Sequence, residues 1–285
     1  MAASGGRLAP QLGLAHVDVF LARAGAVHTP YYREFPPARD LSAFVACTWV
    51  RVVRLAPGQL TDAILPDGCM DIMMCDDFPP LVAGPDAVTR HVKLRNGGVI
   101  TGIRLRPGAC RAVFGCPAEK LLALTLRLVD LAPDSQQLHR HMMMAGSALA
   151  RLALLEGWVR AALERATPQD HAIVAACRRL ADDSQLAIAD LAHDLDWNVR
   201  MIHRQFLAAC GYSPKHFQRI MRIQHVLRAA EGAQTRRLGD LAAGAGYADQ
   251  AHMTRDFRAI TGFTPAEYFA TIAAHGWGAW LDETW

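Results

Sequence analysis

An α+β chain in unequal parts is the expectation for these 285 residues: a small, mainly β domain, then a helical linker, then an all-α unit. Three observations carry it. The stretch 31–113 falls into short runs rich in Val and aromatics, punctuated by Pro-Asp-Gly, Gly-Pro, Asn-Gly-Gly and Pro-Gly. From 171 to about 272 the pattern is helical, with no strand alternation. Within that region GYSPKHF (211–217) recurs as GFTPAEYF (262–269), so Gly-aromatic-Ser/Thr-Pro-x-x-aromatic is written twice.

Composition excludes several classes. A chain that is 52% hydrophobic and 20% charged is globular, with a full core. No uncharged apolar run is long enough for a membrane span, and the first residues lack a secretion signal, so a cytoplasmic protein is expected. Seven cysteines, an odd number without tight spacing, read as reduced thiols.

Residues 1–30 read as a leader, and 31–134 as the β-rich domain. FVACTWVRVVRL (44–55) is one strand region, and ILPDGCMDIMM (64–74) is another broken by a turn. Residues 81–108 supply two or three more, and ACRAVFGCPAEKLLAL (109–124) turns helical. Short strands at this spacing indicate a small barrel or sandwich. Arg104 and Arg106 alternate onto one strand face and are weak candidates for meeting an anionic effector; an ordinary exposed strand face explains them as well. Cys69 and Cys75 are six apart, as are Cys110 and Cys116, so thiol or metal sensing is conceivable, yet no CxxC stands here.

Residues 135–167 read as a helical linker. Leu138, Met142, Ala145, Leu149, Leu152, Val159 and Leu163 follow helical spacing, with Glu156 the polar break. That stripe fits a dimer seam and packing within the chain equally well. HRHMMM (139–144) offers soft donors, but it lies in an amphipathic helix, and no metal or cofactor is expected. Thr167-Pro168-Gln169-Asp170 marks a break and a helix start, and the boundary of the last domain, 168–272. GWGAWLDETW closes the chain in a Trp-rich tail, 273–285.

The repeat extends beyond the two phrases. Asp190-Leu191-Ala192 matches Asp240-Leu241-Ala242 and Trp197 matches Tyr247, at an offset of fifty. Phe206 matches Phe257, Gly211 matches Gly262 and Pro214 matches Pro265, at fifty-one. Each copy reads as a short helix with buried Leu-Ala, a tight turn (Gly246 in the second), and a second helix capped by Asn198 or Asp249. Ile202 and Phe206, or Met253 and Phe257, face inward; Gly stops the helix and Ser/Thr-Pro starts the next. Helix, short turn, helix is a helix-turn-helix. From Asn198 to Arg228 there is no Asp or Glu, while Arg200, Arg204, Lys215, Arg219, Arg222 and Arg228 fall in that stretch. Such a block expects an anionic partner.

Residues 170–272 resemble the arabinose-regulator (AraC/XylS) family of bacterial transcription factors, most closely over GYADQAHMTRDFRAITGFTPAEYF (246–269). HFQRIMRIQHVLRAAEG (216–232) is similar to the family's connecting helix. The first copy departs in Asn198-Val199 and Asp196. The resemblance implies double-stranded DNA as partner, with Arg200, His203, Arg204, Gln250, Ala251, His252, Thr254 and Arg255 toward the bases. Asn198, Ser213, Lys215, Arg219, Arg222 and Thr264 are the phosphate candidates. It further implies an effector-sensing or dimerising first domain, similar to a cupin-like barrel fragment, and RNA polymerase as a further partner.

The reading that follows is a sequence-specific transcriptional regulator, an activator by expectation, and not an enzyme. Control by a protein partner is the alternative. A thiol acceptor of groups from damaged DNA is a remote one, because Cys69 sits beside Asp67 and Asp71, which oppose thiolate formation.

Overall fold

The computed structural model describes residues 31–53, 61–75, 78–93, 96–231 and 237–275. The leader and the last ten residues of the tail lie outside them.

Strands β1 (Tyr31–Phe35), β2 (Val45–Val52), β4 (Met70–Cys75), β5 (Leu81–Ala83), β7 (Val99–Leu105) and β8 (Thr125–Arg127) form an open six-stranded sheet in the order β1-β2-β7-β4-β5-β8. Every pairing is antiparallel. β3 (Thr61–Ile64) and β6 (Arg90–Lys93) make a separate ribbon. The first domain is thus mainly β, as expected.

Alternation sorts the sheet's two faces. Val50, Ile72, Met74, Val82, Ile103 and Leu105 enter one buried core. Cys47, Trp49 and Ile100 pack on the other face, with Tyr32, Met73 and Cys75 against them. The helical reading of 109–124 is only partly met: α1 (Cys110–Phe114) ends at Gly115, and a 3-10 turn, Ala118–Lys120, follows. A one-turn α2 (Leu128–Leu131) follows β8.

The linker resolves the open choice. It is a helix pair, α3 (Gln136–Met144) and α4 (Ala148–Leu163), the latter capped by Ser147. Leu138, Met142, Leu152, Leu155, Val159 and Ala162 are buried in the same core as the sheet, with Leu149 and Leu163 against it. The stripe is therefore spent inside the chain. Glu156, the polar break, accepts from the Ala38 amide at 3.2 Å.

α5 (Pro168–Asp182) opens with a full capping box between Thr167 and Asp170. Beyond it lie α6 (Ile188–Asp194), α7 (Val199–Cys210), α8 (Pro214–Glu231), α9 (Leu238–Gly244), α10 (Gln250–Thr261) and α11 (Pro265–His275). Their core includes Leu191, Ile202, Phe206, Phe217, Met221, Leu241, Met253 and Phe257.

The two cores interlock. Leu65, Ala87 and Leu122 of the first domain pack on the helical core, and Val174 of α5 lies in the sheet's core. Gly68 presses so closely on α8 that a Cβ there would stand 2.8 Å from the Phe217 ring. The Gln224 amide donates to the Pro66 carbonyl at 2.8 Å, and His216 Nε2 stands 2.9 Å from the Ala87 carbonyl. Thr89 N donates to the Ile260 carbonyl at 2.9 Å, filling one of the acceptors that the end of α10 leaves over. Residues 87–89 thus touch both the start of α8 and the end of α10.

Candidate nucleic-acid interface

The two helix pairs are built alike. Leu191 and Ala192 of α6, and Leu241 and Ala242 of α9, are buried. Trp197 N donates to the Ala192 carbonyl at 2.8 Å, and Tyr247 N to the Ala242 carbonyl at 2.9 Å, the same bond in each turn. The turn needs a left-handed residue just before that aromatic. Gly246 supplies it at φ +77 and Asp196 at φ +53, a conformation short Asp tolerates. The first copy's departure is therefore accommodated without a change of turn.

Asn198 Oδ1 accepts from Met201 N at 2.8 Å and Asp249 Oδ1 from His252 N at 2.6 Å, capping α7 and α10. Gly211 and Gly262 end them in the left-handed region. Ile202 and Phe206 in α7, and Met253 and Phe257 in α10, turn fully inward.

What faces outward follows from helical spacing. On α7, Arg200, His203 and Arg204 are exposed together, and none makes an ion pair among the described residues. On α10, Gln250, Ala251 and Arg255 share the exposed face. Thr254 is half-buried and donates its hydroxyl to the Gln250 carbonyl at 2.8 Å. His252 lies round the side, edge-on to Tyr247 at 5.2 Å and with Nε2 4.0 Å from Asp256. The outer set on the second motif is thus smaller than expected.

The phosphate candidates divide. Asn198 and Lys215 are exposed. Ser213 is half-buried and accepts from His216 N at 3.2 Å, at an end of α8 that the first domain touches. Arg219 and Arg222 both turn to Asp256, at 3.0 and 3.3 Å. Arg222 is only 19% exposed, and its guanidinium stacks 5.0 Å from the Tyr247 ring centre. These two arginines tie the connecting helix to α10. Sequence spacing could not show that, because Asp256 lies 37 and 34 residues away. Thr264 offers no open helix end: Glu267 accepts from its amide at 2.7 Å and from its hydroxyl at 2.8 Å. The backbone bond from Thr264, then the hydroxyl, holds the Glu267 carboxyl below its usual range. A carboxylate already fills the place a phosphate would take.

In the first domain, Arg104 and Arg106 separate. Arg104 faces its own carboxylates, Asp71 at 3.2 Å, Glu34 at 3.4 Å and Asp67 at 3.8 Å. Trp49 Nε1 joins Asp71 at 2.8 Å, and Tyr32 donates to Glu34. Arg106 lies past the strand end, with Nε on the Ser42 carbonyl at 3.0 Å. An anion approaching Arg104 would compete with three carboxylates, which weakens the anionic-effector reading.

The cysteines pair by place rather than by bond. Cys177 and Cys210 sulfurs lie 3.4 Å apart in the core. Cys110 Sγ meets the Cys116 carbonyl at 3.4 Å. Among the described residues, no three His, Cys, Asp or Glu side chains gather into a metal-binding set. Nor is any described helix long and apolar enough to cross a membrane.

Residues 191–271 match a family described as a helix-turn-helix domain, and residues 33–127 match a domain of unknown function. No curated protein matches the chain. Among solved structures, it is similar to a "probable AraC family transcriptional regulator" from Rhodopseudomonas palustris. The two are 24% identical over 35% of this chain and 95% of that one, with a TM-score of 0.32. It is also similar to ToxT from Vibrio cholerae, at 14% identity over 78% and 98%, with a TM-score of 0.45. A fatty-acid-bound form of ToxT matches at 10% over 73% and 93%, with a TM-score of 0.40.

Proposed function

We propose that this chain, whose residues 191–271 match a helix-turn-helix domain family, is a transcriptional regulator of the arabinose-regulator type that reads two major-groove segments with α7 and α10. The observation that carries the reading is the duplicated motif with one outward basic face per copy: Arg200, His203 and Arg204 on α7, and Arg255 beside Gln250 and Ala251 on α10. Arg bonds bidentate to guanine O6 and N7, Gln to adenine, and Ala packs on a thymine methyl. Asn198 and Lys215 contact the phosphates. With both helices on one face of the duplex, the segments stand about 34 Å apart, one helical turn.

The first domain senses an effector or holds a second copy, and the regulator acts from the cytoplasm on RNA polymerase as an activator. No catalysis is assigned to the chain. Selection of random duplexes by the full-length protein at two salt concentrations tests the core of this reading. The expected result is a site of two blocks one turn apart, with affinity falling steeply as salt rises. Recovery of a single block, or binding indifferent to salt, overturns it.

A further inference from the structure

Two apolar side chains stand on the outer face of α7. Val199 and Leu207 are each 44% exposed. With His203 they form one row at i, i+4 and i+8, beside the row of Arg200 and Arg204. The core does not need them, because Ile202, Phe206 and Ala209 already bury the inner face of α7.

The second motif serves as an internal control. At the offset of fifty-one, Val199 corresponds to Gln250, Arg200 to Ala251, His203 to Thr254, Arg204 to Arg255 and Leu207 to Arg258. Gln250 and Arg258 are exposed and polar in a helix of the same length, caps and core. The motif therefore folds without apolar residues at these places, and although the C-terminal end of α7 lies against Ala118–Lys120 of the first domain, both side chains stay exposed.

Groove chemistry narrows what these side chains meet. Base edges in the major groove present hydrogen-bond donors and acceptors, and at thymine a C5 methyl. An apolar side chain pressed on the amino group of adenine or cytosine removes water from a donor without replacing it, which is costly. Pressed on the methyl, it buries apolar surface on both sides. Resting on the DNA-reading function proposed above, we infer that Val199 and Leu207 are specificity-determining residues that contact thymine methyls in the segment read by α7. Eight residues of helix span about 12 Å, and base pairs rise about 3.4 Å. The two thymines then stand about three or four base pairs apart, flanking the guanine met by Arg204. The segment read by α10 shares a guanine, at Arg255, and lacks the methyl contacts at Gln250 and Arg258.

The test uses the full-length protein and the duplex recovered by selection. Each thymine of the first segment is replaced in turn by deoxyuridine, which removes only the methyl. Wild-type affinity is expected to fall roughly fourfold at each of two positions, the worth of one buried carbon. Leu207→Ala is expected to abolish the difference at one position and Val199→Ala at the other, while each keeps its sensitivity at the position it does not touch. Both residues are exposed, so the variants retain the fold. Equal binding of thymine and deoxyuridine duplexes by the wild type overturns the inference. So does a fourfold difference that survives in both variants. In either case Arg204→Ala still relaxes the choice of guanine, which leaves the DNA-reading proposal standing. Absence of any consensus overturns both.

Discussion

Gln224 of α8 donates its side-chain amide to the carbonyl of Pro66 in the first domain at 2.8 Å, with only 3% of Gln224 exposed. Gln224→Leu removes the donor and leaves a buried carbonyl without it, a loss of about 1–3 kcal/mol. A lower melting temperature with two-state unfolding of both domains together is expected. If the variant melts like the wild type, the contact adds nothing to the stability of the fold.

Asp256 holds Arg219 and Arg222 against α10. Asp256→Ala strands two guanidinium groups, of which Arg222 is mostly buried. The expected loss is about 2 kcal/mol, below the figure for a wholly buried pair because Arg219 keeps contact with water. DNA protection should weaken more over the segment read by α10 than over the one read by α7. Equal weakening over both would contradict the tie.

Lys215 and Arg204 should behave differently on DNA. Lys215→Ala is expected to weaken binding to all sequences alike and to lower the salt slope by about 0.9. Arg204→Ala should cost about 1–3 kcal/mol at one guanine and relax the preference there. Titrations against matched and mismatched duplexes separate the two.

Asp170 links stability to pH. Burial pushes its carboxyl up, but bonds from Thr167 and Arg111 outweigh it, and the net direction is down. A carboxyl lowered in the folded state adds stability above its unfolded pKa of about 3.9, and that stability is lost as pH falls through the folded value. Asp170→Asn should therefore destabilise by about 2 kcal/mol at neutral pH. The gap to wild type should close below pH ~4. A gap unchanged down to acid denaturation would contradict this.

Cys116 should be among the first thiols to react. A side-chain hydrogen bond from the Cys110 thiol to its own brings its pKa down to about 7 against the effect of burial, with Lys120 helping. Burial and then the contact with Cys210 push the Cys177 thiol well up. Brief iodoacetamide treatment at neutral pH, read by mass spectrometry, is expected to modify Cys116 ahead of Cys110 and Cys177. Labelling of Cys177 in the folded protein at the same rate would refute it.

The double motif was legible because its signals are local and repeated. Phe206 and Phe257, Gly211 and Gly262, and the caps Asn198 and Asp249 each act within a few residues of their own helix. The strands of the first domain were legible in outline for the same reason. What escaped is of another kind. The apolar stripe from Leu138 to Leu163 fits a partner helix or its own sheet equally, and only the packing of α4 on that sheet decides. The contacts of Pro66, Ala87, Thr89 and Ile260 use backbone groups, which carry no side-chain signature. The basic block read correctly as a block, but Arg219 and Arg222 face a carboxylate more than thirty residues away. Val199 and Leu207 were visible by one signal, a comparison of outer positions between the copies, where apolar residues stand opposite Gln250 and Arg258.

Residues 87–89 bear on how such a protein can diversify. A helical unit whose first and second halves are both fastened to the preceding domain is not a cassette to be spliced behind any other domain. A chimera that joins 168–275 to a foreign domain would leave Ile260 and His216 without their partners and the faces of Phe217 and Met221 bare. Change in the first domain would then fall on the far side of the sheet, around Trp49 and Arg104, while the seam is kept.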